Sequence, residues 1–114
     1  MDELTLTTKM RSSGLSIKEG SRTSRLEATR KAIEWCIRPR TQSDRTCISN
    51  IISWISGLDV NDSAIYVVLR RVIDAAIEAS GPMVRNPNAV FMTIMKKELG
   101  YSTTGDSNTN SKGA

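Results

Sequence analysis

Apolar residues recur at helical spacing in four stretches of the chain, each bounded by turn-forming or capping residues. Over 25–37, Leu26, Ile33, Cys36 and Ile37 share one face, stepping along it at helical intervals. "SRLE" offers Ser24 as an N-cap with Glu27 three residues on, a capping box. Pro39 disfavours helical geometry at Arg38 and predicts the end of the helix there. The second stretch, about 44–56, aligns Ile48, Ile51, Ile52 and Ile55 with Cys47 beside them. "TQSD" supplies competing caps at its start, and Gly57 fits the position after the C-cap.

The third stretch carries the strongest pattern. Ile65, Val68, Leu69, Val72, Ile73 and Ala76 form one face, widened by Tyr66, Val67 and Ile77. A stripe this broad predicts a central helix packed from more than one side. Asp59, Asn61 and Asp62 complement its N-terminal dipole, and Gly81–Pro82 closes it. In the fourth, Asn86 is an N-cap and Pro87 takes the first helical position, where its missing N–H costs nothing. Val90, Phe91, Ile94, Met95 and Leu99 make the apolar stripe, Lys96 and Lys97 suit the C-terminal dipole, and Gly100 ends it.

These elements predict an all-α fold, a compact four-helix domain over 22–101. Residues 1–21 hold only scattered apolar positions and read as an irregular, flexible arm. "STTGDSNTNSKGA", 102–114, has no apolar residue before Ala114 and reads as a disordered tail.

Charge adds a second pattern. The chain has 114 residues and a net charge of +4. Arg22, Arg25, Arg30, Lys31, Arg38, Arg40 and Arg45 face only Glu27, Glu34 and Asp44 within 22–45, so seven cations against three carboxylates account for the whole +4. Six of these seven are Arg, whose planar fork suits phosphate oxygens. Arg85, Lys96 and Lys97 extend the surface if the last helix lies beside the first.

Catalytic and cofactor chemistry finds no constellation. The chain has no His and two Cys, which gives neither a metal set nor a nucleophile with its base. Cys36 and Cys47 read as reduced core residues of a cytoplasmic protein. The seven glycines never form a phosphate-cradling motif. No apolar run is long enough to predict a membrane span. No enzyme activity, metal, cofactor or small-molecule substrate is expected.

"YVVLRRVIDAAIEASG" followed by "VRNPNAVFMTIMKKELGY" resembles, over 59–101, the C-terminal helical module of DnaD-like and of plasmid and phage replication initiator proteins. There a long helix turns into a final helix with aromatic and aliphatic anchors and a basic end. The resemblance implies DNA binding and contact with replication proteins.

The expectation is a small basic protein that binds nucleic acid, DNA above all, as an accessory to replication. Its phosphate contacts are Arg22, Arg25, Arg30, Lys31, Arg38, Arg40, Arg45, Arg85, Lys96 and Lys97. The alternative is a protein-interaction adaptor or homodimer. It would use the apolar surfaces of the last two helices, with Trp35, Trp54, Tyr66 and Met92 at the interface.

Overall fold

The computed structural model describes residues 1–102. Among them the structure is all-helical, with five helices: α1 (Glu3–Ser12), α2 (Arg22–Ile37), α3 (Gln42–Ser56), α4 (Asp62–Ala79) and α5 (Pro87–Glu98). The count exceeds the expected four because part of the supposed arm is helical. The expected tail falls almost entirely on residues 103–114, which lie outside the described residues.

α1 is built from signals at its two ends. Asp2 caps it, its Oδ1 accepting the Thr5 N–H at 2.8 Å. That bond lowers the Asp2 carboxyl below its ordinary pKa. Glu3 lies in the first turn, and Lys9 and Arg11 in the last, each sign complementing the helix dipole. At the far end Gly14 adopts φ 73°. The N–H of Leu15 reaches Met10 O at 2.9 Å and that of Gly14 reaches Arg11 O at 3.1 Å, the bond pair of a Schellman ending. Leu6, 2% exposed, and Ile17, 8% exposed, then sink into the common core.

α2 is the hub, packing against each of the other four helices. Ala28, Thr29 and Ala32 are fully buried on it, and such small side chains let neighbouring backbones approach closely. Thr29 satisfies its hydroxyl by donating to Arg25 O at 3.0 Å. α2 starts three residues before the expected Arg25, with Ser21 rather than Ser24 as its cap. Glu27 consequently lies inside the helix, where it pairs with Arg30. For α3, Thr41 is the cap; its Oγ1 accepts the Asp44 N–H while Asp44 accepts the Arg40 N–H, both at 3.1 Å.

α4 packs on both α2 and α5, burying Ile65, Leu69, Val72, Ile73 and three alanines. Asn61 and Asn86 cap α4 and α5 through Ala64 N–H and Ala89 N–H. Past Gly100 the Tyr101 N–H turns back to Met95 O. The Tyr101 ring is buried edge-on against Trp54, centroids 5.3 Å apart.

If α1 belongs to the core, truncating its buried leucine must unfold the protein more easily. Leu6→Ala is expected to cost about 2–4 kcal/mol, and Leu4→Ala, at a side chain 77% exposed, less than about 0.5 kcal/mol. Urea denaturation of both variants checks this, and equal midpoints would mean that α1 does not contribute to the core.

Candidate anion-binding cleft

The ten cations expected at a phosphate surface divide in two once their surroundings are known. Four serve the fold. Arg25 is 6% exposed, and its Nε donates to Ile17 O at 2.7 Å, pinning the segment after α1 onto α2. Arg22 reaches across to the α3–α4 connection, donating to Leu58 O at 3.2 Å and also to Val60 O. Arg30 sits between Glu27 and Glu34, and the hydrogen bond it donates to Glu27 holds its guanidinium above the ordinary arginine pKa. Lys31 lies 4.0 Å from Glu34. A buried or paired cation has already exchanged its water for a protein partner, so it has less to gain from a phosphate.

The other six point to solvent, and three of them converge. Arg38 and Arg40, from the α2–α3 connection, and Arg85, from the α4–α5 connection, line one open cleft of about 660 Å³. It is also lined by Trp35, Cys36 and Ile37 from the end of α2, Ser80, Gly81 and Val84 from beyond α4, and Met1 and Thr5 from the start of the chain. Asn86, Pro87 and Asn88, where α5 begins, complete the lining. Among the described residues Asp44 is the one carboxylate lining it, already engaged by the Arg40 N–H. Arg45 lies on α3 just past this edge, whereas Lys96 and Lys97 lie in the last turn of α5, at the end away from the cleft.

Helix ends contribute little net field. α3 and α5 begin at the cleft, while α2 and α4 finish there, so positive and negative termini are both present and largely offset. Among the described residues the field is set by three guanidiniums and the Met1 ammonium, which donates to Ser80 Oγ at 2.8 Å, against one carboxylate.

Arg38 adds a conformational observation. It caps α2 in the left-handed region, at φ 56° and ψ 70°, the sole non-glycine residue with positive φ among those described. Glycine is the usual occupant of such a position, and an L-residue there costs about 1–2 kcal/mol. The strain places the Arg38 side chain at the rim of the cleft instead of in the run of α2.

Two further groups, one beside a lining residue and one in the lining itself, were not singled out from the sequence. Lys9 of α1 lies over the Trp35 ring, 5.6 Å from its centroid. Asn88 Oδ1 is buried with no hydrogen-bond partner among the described residues. The Cys36 thiol is buried, and burial pushes its pKa up; both cysteines are free. Among the described residues no group of His, Cys, Asp or Glu is arranged to hold a metal, and no helix is long and apolar enough to cross a membrane.

The four expected interface residues do not assemble. Trp35 lines the cleft, and Tyr66 lies in a separate groove between α1 and α4 with Lys18 over its ring. Trp54 is occupied by Tyr101, and Met92 is half-buried against the core on α5. The large apolar side chains most open to solvent are instead Leu4, Val67 and Met83, on α1, α4 and the α4–α5 connection.

Compared with models of known families, with curated proteins and with solved structures, the chain matches none of them.

Stability separates the two classes of arginine. Arg38→Gly relieves left-handed strain of about 1–2 kcal/mol but adds roughly 0.5–1 kcal/mol of chain entropy, so it should raise unfolding stability slightly. Arg25→Ala removes a charged donor from a buried carbonyl and should lower it by about 2–3 kcal/mol. Chemical denaturation of the two variants tests this, and a destabilised Arg38→Gly protein would show that the Arg38 side chain serves the fold.

Proposed function

We propose that this is a small helical, non-enzymatic nucleic-acid-binding protein whose phosphate contacts are Arg38, Arg40 and Arg85. One observation carries the reading: three solvent-facing arginines from two separate connections meet at one cleft, and none has an ion-pair partner among the described residues. Arginines without carboxylate partners, gathered in a concavity, offer fork-shaped donors to phosphate oxygens. Such contacts give position and affinity but do not read sequence. Arg45 extends the surface along α3, and Lys96 and Lys97 form a separate, peripheral patch. DNA is the nucleic acid we favour, with an accessory role in replication, on the resemblance of 59–101 to replication-initiator modules. The two free cysteines suit the reducing cytoplasm.

A second reading, an adaptor or homodimer, draws on Leu4, Val67 and Met83, which are 77%, 56% and 91% exposed. It is weaker, because these residues lie on three different elements. Sedimentation as a monomer at high concentration would remove its homodimeric form.

Each phosphate contact releases condensed counterions, so affinity must fall with salt. Three contacts contribute a log–log slope of about −2 to −3. The Arg38→Ala/Arg40→Ala/Arg85→Ala protein should lose most of that slope, and an Arg30→Ala protein should keep it. Fluorescence anisotropy with labelled DNA over a salt series measures both. Absence of binding at low salt would overturn the reading.

A further inference from the structure

We propose that the cleft takes a single strand, one base stacked on Trp35 and the adjoining phosphates held by Arg38, Arg40 and Arg85. The inference rests on the nucleic-acid reading above and narrows it to the strandedness of the ligand.

Shape is the first argument. A duplex is a convex rod with its bases stacked inside, and proteins read it by laying a helix or ribbon into a groove. The arginines here line a recess of about 660 Å³, a volume of the order that encloses one small organic ligand. A recess of this size accepts a nucleotide or two of flexible chain, and a rod only touches its rim.

The distribution of cations agrees. Tracking a duplex backbone along α2 needs Arg22, Arg30 and Lys31 as a continuous stripe. Arg22 is bound to two main-chain carbonyls, and Arg30 and Lys31 face carboxylates of their own helix. Among the described residues the recess gathers three of the unpaired cations, Arg38, Arg40 and Arg85, while Arg45, Lys96 and Lys97 are unpaired outside it.

Trp35 supplies what a recess of arginines alone lacks. It is the one aromatic side chain lining the cleft among the described residues, and it is half-buried. Bases have π-faces of every sequence, so an aromatic platform next to a cationic groove is the usual construction for single strands. Lys9 now lies over this ring. An exposed cation over an aromatic face contributes roughly two- to fivefold, whereas a stacked base contributes about five- to a hundredfold. The base wins the ring, and Lys9 is left beside the strand, where its ammonium meets phosphate.

The test compares short oligo(dT), oligo(U) and a blunt duplex of equal length by anisotropy, with Trp35 emission followed in a Trp54→Phe protein. The single strands should bind at least about tenfold tighter than the duplex and quench Trp35. Trp35→Leu should weaken single-strand binding by about five- to fiftyfold, and Trp35→Tyr should restore most of it. Equal or tighter duplex binding, or single-strand binding that leaves Trp35 emission unchanged, overturns the single-strand proposal. If that duplex binding needs the three arginines, the broader nucleic-acid reading survives. No binding of any of the three ligands overturns both.

Discussion

The close approach of four helices to α2 is the constraint on which the rest of the molecule depends. It is possible because Ala28, Thr29 and Ala32 present almost no side-chain bulk where α2 meets its neighbours. Larger residues there would push neighbouring helices outward and leave the isoleucine side chains of α2, α3 and α4 incompletely packed. A core with few aromatic residues depends on such proximity, since aliphatic side chains stabilise through many short contacts. α2 therefore needs no strong one-sided pattern; it is buried in several directions.

That arrangement also positions the cleft. Because α2 is fixed along its length, its last residues deliver Trp35, Cys36 and Ile37 to a defined place. The left-handed Arg38 and Pro39 then turn the chain so that Arg40 lines the same cleft as Arg85. The N-terminal end of α2 uses arginine differently. Arg22 and Arg25 reach main-chain carbonyls of Leu58, Val60 and Ile17, tying two connections to the hub. One residue type thus does two jobs along one helix, anchoring connections at its start and presenting free cations at its end.

Four helices were legible from sequence because of their apolar periods and end signals. Asn86 with Pro87 was read as the cap the structure uses, Thr41 was one of several competing caps, and Asn61 was read only as a partner of the helix dipole. The beginning of α2 was misplaced because Ser21 and Ser24 are equivalent as caps. The docking of Arg22 and Arg25 onto distant carbonyls favours the longer helix, and no local pattern encodes that. α1 was missed for a related reason. Its Thr-rich sequence has modest helix propensity, and its stability comes from burying Leu6 against helices far along the chain. Asp2 and Gly14, which close its two ends in the structure, were not read as terminal signals. As for the site, composition located the excess charge in 22–45. It did not separate Arg30, held by two carboxylates, from Arg40, held by none, and it joined Arg85 to the surface only on the condition that the last helix lay beside the first. Pairing and convergence are tertiary properties.

The account's central claim is that the cations divide into those spent on the fold and those left for a ligand. Side-chain arginine NMR during titration with a short oligonucleotide tests it most directly, because each Nε–H reports its own surroundings. The Arg38, Arg40 and Arg85 signals should shift together and saturate, while those of Arg22, Arg25 and Arg30 stay in place. Shifts centred on Arg22 and Arg30, with the cleft arginines unmoved, would contradict it.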